Sequence, residues 1–291
     1  VSRASIANAT SRQATWTTAR KAGGARFLNF IAKELMPYVE RTYRTHPYRV
    51  LEGHSLGGAL AAYTLLNRPA MFDAYLVMSP AMWWNHEELT AQARTALDRP
   101  DVGNKTIFFG IGDQDGWGMR QELKRFVAVL DEKTPRGTRW QHEEFKGEGH
   151  MSAPLLTNYY GLKMVFADLQ LPDAVRQSFT DNAFLAHEAA ITAKYGSAAA
   201  QTSESYVNLG LALMQQQRYA AAVTVFERNA EVYDTYPPSF RWLAEAQEKD
   251  GDLTAALESY ETALARSATV KVGEEDAYRA NIKRLKALVR Q

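Results

Sequence analysis

The chain has 291 residues, 46% of them hydrophobic and 11% aromatic, so it is long enough for a full apolar core and for two domains. Its 34 basic and 33 acidic residues leave a net charge of +1, which excludes a strongly charged nucleic-acid or membrane-surface protein. There is no cysteine, so disulfides, thiolate chemistry and cysteine-based metal sites are excluded. No run of 18 apolar residues predicts a membrane span, and bacterial cytoplasm and periplasm both stay open as compartments.

The chain up to Pro172 alternates predicted helices with short apolar strands. An apolar stripe over residues 25–43 predicts a first helix, which Pro37 should kink or divide in two. The predicted strands lie near residues 50–51, 72–78, 106–111 and 139–145. Because strands that alternate with helices indicate βαβ units, residues 1–172 are predicted to form an α/β domain with a mostly parallel sheet covered by helices.

The first strand leads into residues 53–57, Gly-His-Ser-Leu-Gly, and a helical segment follows. Strand, G-x-S-x-G turn and helix together are typical of a nucleophile elbow, in which Ser55 sits exposed on a strained turn. We expect Gly53 and Gly57 to flank it because a Cβ at either position would collide with the neighbouring strand or helix. The N–H of Leu56, at the start of the helix, would stabilise an oxyanion.

Aromatic residues follow the strand at residues 72–78 on the same edge of the sheet. Met82, Trp83 and Trp84 could line an acyl or aromatic pocket, or they could cover the core. We predict substrate-binding roles for Trp83 and Trp84. His54 is also predicted to contact substrate. It occupies the position before Ser55 and cannot easily reach its neighbour's hydroxyl to act as the base.

Two aspartates follow the strand at residues 106–111. Asp115 comes third after Gly112, the usual place of the acid in a strand-end G-x-x-D turn. Asp113 is the second choice, with capping of the turn or of the next helix as its other interpretation. No metal or cofactor motif is present, so we expect no cofactor.

His150 lies on a glycine-flanked loop after the strand at residues 139–145. Serine, acid and histidine then occur in the chain order of α/β-hydrolases, each at the carboxyl end of a predicted strand. The other histidines have less suitable places, in a turn, a surface run, mid-strand and a linker helix: His46, His86, His142 and His187. We therefore predict Ser55 as nucleophile, His150 as base and Asp115 as acid.

Strand signals vanish beyond Pro172, and residues 173–198 are predicted to be a helical linker. Residues 199–291 contain a repeat with a period of 34, in which Tyr206 and Phe226 correspond to Phe240 and Tyr260. This period predicts tetratricopeptide-like helix pairs, which offer a surface for a protein partner or a homodimer.

Three motifs resemble the putative esterase family of α/β-hydrolases, in its siderophore (enterobactin-type) esterase branch. They are G-H-S-L-G-G at residues 53–58, F-D-A-Y-L-V-M-S-P-A-M-W-W at residues 72–84 and E-G-H-M-S at residues 148–152. Asn8, Arg12 and the Thr17-Thr18 region resemble the family's segment before the elbow helix, and tetratricopeptide-like tails also occur in this branch. The resemblance implies a serine esterase. It also implies about a hundred further residues before Val1, which would carry the first strands and a second oxyanion donor.

Three functional hypotheses follow. The first is a serine carboxylesterase acting on a small-molecule ester, such as a siderophore, aryl or short acyl ester. The second is a weak or inactive hydrolase scaffold that binds a protein through its repeats. The third is an acyltransferase, which shares the acyl-enzyme and differs in the alcohol that attacks it.

Overall fold

The computed structural model of this chain describes residues 23–196 and 199–290. The segment that contains Asn8, Arg12 and Thr17-Thr18 lies outside the described residues. The chain divides into two compact units, with the boundary between Ala167 and Asp168.

The first unit begins with an interrupted helix. Helices α1 (Gly24–Phe30) and α2 (Met36–Thr42) are joined by a π-helical turn, Ile31–Leu35, that ends two residues before Pro37. Proline has no N–H to donate within a helix, so a break is expected at this point. The other elements are β1 (Val50–His54), α3 (Leu56–Asn67), β2 (Ala74–Met78), α4 (Glu88–Ala96), β3 (Thr106–Gly112), α5 (Trp117–Glu132), β4 (Arg139–Phe145) and α6 (Ala153–Val165).

The four strands of the described region form one parallel sheet in the order β1-β2-β3-β4. Every residue of the two central strands is buried, as expected for a parallel sheet with both faces covered. All four predicted strands are present. Because the strands are parallel, the turns after β1, β3 and β4 reach the same edge of the sheet, and the three predicted site residues lie in those turns.

The two faces of the sheet pack against different helices. Successive side chains of a strand point to opposite faces, so Tyr75 and Val77 of β2 join a core with α3 and α5, whereas Leu76 joins one with α6. Helix α6 approaches closely, since a Cβ on Gly161 would lie 2.7 Å from the Leu76 side chain. The turns at the strand ends are therefore held from both faces.

The second unit consists of helices throughout its described residues. They are α7 (Asp173–Gln177), α8 (Asp181–Tyr195), α9 (Ser203–Gln215), α10 (Tyr219–Val232), α11 (Pro237–Asp250), α12 (Leu253–Arg266) and α13 (Glu275–Val289). Side-chain caps begin three of them, because the oxygens of Thr180, Thr202 and Asp252 accept backbone N–H groups of the first turn. The segment predicted as a helical linker, residues 173–198, contains the two helices α7 and α8.

Helices α9 to α12 form the predicted repeat. Helices α11 and α12 each begin 34 residues after their counterparts α9 and α10. A Cβ on Gly210 would lie 2.3 Å from the Phe226 ring, so the small residue permits the close packing of the first pair. The turn between the helices needs a positive φ in both repeats, 58° at Gln217 and 95° at Gly251.

No helix in the part of the chain that the structure describes is both long enough and apolar enough to cross a membrane.

Candidate active site

Ser55 sits at the junction of β1 and α3 with a φ of 57°, a strained conformation for a residue with a side chain. Backbone hydrogen bonds hold it there. The Ser55 N–H donates to the Met78 carbonyl at 3.0 Å, and the Ala81 N–H donates to the Ser55 carbonyl at 2.9 Å. The serine is half-buried at the tip of the turn, the backbone geometry of a nucleophile elbow.

The glycines around Ser55 differ in the space available for a side chain. A Cβ on Gly53 would lie 2.1 Å from the Gly57 carbonyl oxygen, so only glycine fits there. The prediction for Gly57 is wrong, since a Cβ at this position would meet nothing within 4 Å. The second close approach is at Gly58, whose Cβ would lie 3.0 Å from the backbone of Pro80. The elbow packs inward through Gly58 because Gly57 faces away from the sheet.

Leu56 occupies the first position of α3, where helical geometry supplies no intrahelical acceptor for its N–H. The positive end of the helix dipole adds to the attraction of this N–H for an anion. Leu56 is 52% exposed beside Ser55. The position of this N–H is thus compatible with the predicted oxyanion role.

The structure brings His150 and Asp115 together. The His150 Nδ1 lies 2.8 Å from Asp115 Oδ1, and the Asp115 side chain is fully buried while that of His150 is 34% exposed. Asp113, the second choice for the acid, lies elsewhere: its Oδ1 accepts the Gly147 N–H at 2.9 Å. Asp115 therefore has the contact that orients a histidine, and Asp113 ties down the loop before it.

The two loops that carry Asp115 and His150 are bonded to each other. The N–H groups of Asp113 and Gln114 donate to carbonyls of the β4 end and the following loop, each at 3.0 Å. A Cβ on Gly112 would lie 2.1 Å from the Glu148 carbonyl oxygen, so glycine is needed for this approach. Loops fixed in this way hold the aspartate–histidine contact in place.

His54 links the serine turn to the histidine loop. Its Nε2 donates to the His150 carbonyl at 2.8 Å, and the two ring centroids are 4.4 Å apart. Ser55, next in the chain, is thereby held close to the His150 loop. The substrate contact predicted for His54 stays a prediction, and the contact observed is with His150.

Ser79 is a polar residue of the site that the sequence reasoning missed. It is fully buried, and its hydroxyl donates to Asp115 Oδ2 at 2.6 Å. The Gly112 N–H donates to the same oxygen at 3.2 Å. The only available signal was a serine placed directly after a buried strand, at the edge where the other site residues lie.

The residues after Ser79 divide between core and surface. Met82 is fully buried in the core, so the pocket role considered for it does not hold. Trp83 and Trp84 are half-buried with ring centroids 6.2 Å apart, and Trp83 packs on the same core. Their substrate-binding roles stay predictions.

Two of the other histidines, His142 and His187, lie in elements other than the turns that carry Ser55 and Asp115. His142 lies within β4, where burial holds the pKa of its imidazole below the ordinary value. His187 lies on α8 of the second unit, and burial lowers its pKa as well. Among the described residues, no group of three or more histidines and carboxylates is arranged to hold a metal ion.

A parallel sheet covered by helices, with a serine elbow at its carboxyl edge, defines the α/β-hydrolase fold. The model of a family described as Putative esterase matches residues 7–153, just over half of the chain. The chain belongs to this family. A tetratricopeptide repeat model matches residues 203–232, which contain α9 and α10.

Curated relatives are similar to part of the chain. Ferri-bacillibactin esterase BesA of Bacillus subtilis is 32% identical over 147 residues, 47% of this chain and 50% of that protein. A siderophore enterobactin esterase of Emericella nidulans is 41% identical over 109 residues, 35% of this chain and 36% of that protein. The chain thus spans half or less of the length of these curated relatives.

Two solved structures share the fold. An IroE-like serine hydrolase from Shewanella oneidensis matches with a TM-score of 0.60 and 22% identity, over 72% of this chain and 67% of that one. An uncharacterised protein from Capnocytophaga ochracea matches with a TM-score of 0.65 and 17% identity, over 90% of this chain and 75% of that one. At these identities the likeness concerns the fold alone.

Proposed function

We propose that the protein hydrolyses carboxylic esters through a covalent acyl-enzyme on Ser55. The observation that carries the proposal is the contact of 2.8 Å between His150 Nδ1 and the buried Asp115. His54, the residue before Ser55, also donates a hydrogen bond to the His150 carbonyl. A carboxylate on Nδ1 leaves Nε2 of the imidazole free to accept a proton. Membership of the esterase family supports the same reaction class.

In the proposed mechanism, His150 Nε2 takes the hydroxyl proton as Ser55 Oγ bonds to the ester carbonyl carbon. The Leu56 N–H donates to the oxyanion that forms. When the tetrahedral intermediate collapses, the bond to the alcohol breaks, and the alcohol leaves with the proton from His150. Water then attacks the acyl group by the reverse sequence, which releases the carboxylic acid and restores Ser55.

Stoichiometric labelling by a fluorophosphonate tests the nucleophile. We expect one label per chain, lost in Ser55→Ala and kept in Ser178→Ala, which removes an exposed hydroxyl from the second unit. Turnover of p-nitrophenyl butyrate should fall in Ser55→Ala by a factor of about 10⁴ or more. Wild-type protein that neither labels nor turns over would refute the proposal.

For the substrate, we propose a siderophore ester. The names of the matched curated relatives give ferri-bacillibactin, enterobactin and triacetylfusarinine C as the compounds those proteins cleave. Each of these compounds can be offered to the wild type and to Ser55→Ala, with products followed by mass spectrometry. Cleavage of p-nitrophenyl butyrate but of none of the three siderophores would reject this substrate class.

Acyl transfer shares every step up to the acyl-enzyme. An added acceptor alcohol separates the two outcomes, because a transferase forms the new ester and a hydrolase releases the acid. We expect the free acid as the main product.

The helical unit supports a second role as an interaction surface, since a tetratricopeptide repeat model matches its first helix pair. Of the two partners considered, a second copy of the chain can be tested directly by sedimentation velocity over a range of concentrations. A monomer at every concentration would leave a different protein as the partner of this surface.

A further inference from the structure

The segment at residues 78–81, which begins with the last residue of β2, contacts both the serine turn and Asp115. The Met78 carbonyl accepts the Ser55 N–H, and the Ala81 N–H donates to the Ser55 carbonyl, at 3.0 and 2.9 Å. Between them, Ser79 reaches Asp115 from its side chain at 2.6 Å. One short segment therefore makes hydrogen bonds both to the backbone of Ser55 and to the Asp115 carboxylate that faces His150.

Ser79 is held tightly in an unusual conformation. Its φ is 38°, a backbone region that favours glycine. The Ser79 N–H donates to the Gly110 carbonyl at 2.7 Å, and the residue is fully buried. A glycine would relieve the backbone strain but would remove the hydroxyl, so the two contributions of Ser79 can be separated by mutation.

The Ser79 hydroxyl bonds the carboxylate oxygen of Asp115 that is not in contact with His150. Oδ1 contacts His150, while Oδ2 accepts the Ser79 hydroxyl at 2.6 Å and the Gly112 N–H at 3.2 Å. Without the hydroxyl, Oδ2 keeps only the longer bond from Gly112, so rotation of the carboxylate about its χ2 is less restrained. Because the side chain of Asp115 is fully buried, bulk water does not readily supply a replacement donor.

We infer that Ser79 is a positioning residue, whose hydroxyl holds Asp115 in the orientation that directs His150 toward Ser55. This role rests on the proposed function. It acts on the transition state more than on substrate binding, because Ser79 is buried behind the carboxylate. Loss of the hydroxyl should therefore lower kcat and leave KM nearly unchanged.

Two variants and one control test the inference on the full chain. Ser79→Ala and Ser79→Gly should both lower kcat for p-nitrophenyl butyrate by about 10- to 100-fold, the effect expected for a bond to a charged group. Both should react more slowly with a fluorophosphonate, and Ser79→Gly should melt no lower than Ser79→Ala. The control Thr106→Val removes a buried hydroxyl at the opposite end of β3 and should keep the wild-type kcat.

Recovery of wild-type kcat in Ser79→Gly would overturn the inference, since it would assign the role of Ser79 to its backbone. Unchanged kcat in both variants would also overturn it. The downfield proton resonance of His150 Nδ1–H reports the contact with Asp115 even if no ester is cleaved. Its loss in both variants supports the inference whatever the fate of the proposed function, and its retention in either contradicts it.

Discussion

Two glycines that look equivalent in the G-x-S-x-G pattern should respond to alanine with opposite signs. A Cβ on Gly53 would lie 2.1 Å from the carbonyl oxygen and 2.4 Å from the carbonyl carbon of Gly57, and backbone atoms cannot rotate away. Overpacking of this kind lowers the free energy of unfolding by about 1–3 kcal/mol. Because the contact is with backbone atoms, we expect Gly53→Ala to lower it by about 3 kcal/mol or more. Gly57 lies in α3 with open space around it, so Gly57→Ala should stabilise by up to about 1 kcal/mol.

Urea unfolding followed by tryptophan fluorescence measures this difference. Five of the six tryptophans, at residues 16, 83, 84, 117 and 140, belong to the first unit's part of the sequence. Fluorophosphonate labelling of Ser55 should fall with stability in Gly53→Ala and continue in Gly57→Ala. If the two variants lost equal stability, the close approach of β1 and α3 would not be what restricts the elbow to glycine.

Three further predictions concern the acid, a buried histidine and the repeat turn. Asp115→Asn should lower kcat by about 10⁴, whereas Asp113→Asn should stay within a few-fold, and the reverse order in p-nitrophenyl butyrate kinetics would contradict the assignment. Burial lowers the pKa of His142, so its imidazole should titrate below about 6.5 in an NMR titration. Because the unfolded chain then binds the proton first as the pH falls, the first unit should lose stability below about pH 6.5, and His142→Gln should reduce that loss. A non-glycine residue with positive φ costs about 1–2 kcal/mol, partly offset by the greater entropy of an unfolded glycine. Gln217→Gly should therefore raise the free energy of unfolding of the helical unit by about 0.5–1 kcal/mol. Gly251→Gln should lower it, and equal signs in urea titrations followed by far-UV circular dichroism would refute this account.

Much of the fold follows from local patterns. Short apolar runs between helical segments predict the parallel sheet, and a 34-residue period predicts the helix pairs, because both signals depend only on spacing along the chain. The order of Ser55, the aspartates and His150 follows in the same way, since parallel strands must end at one edge of the sheet.

Contacts between distant residues could not be predicted from those patterns. Asp113 and Asp115 are two residues apart, and only the packing of the β3 and β4 loops decides that Asp115 meets His150 while Asp113 meets Gly147. The same holds for Gly57, whose environment depends on the direction in which α3 leaves the turn.

The sequence by itself therefore determined the class of fold, the repeat and the placing of serine, acid and histidine at strand ends. Of the two aspartates, the sequence favoured Asp115 and left Asp113 open, and the tertiary structure shows Asp115 facing the histidine. The tertiary structure alone decided which glycines are crowded and that the Ser79 hydroxyl contacts Asp115. The physical reason is that periodicity reports which face of an element is buried. A hydrogen bond across 36 residues depends instead on how neighbouring elements pack.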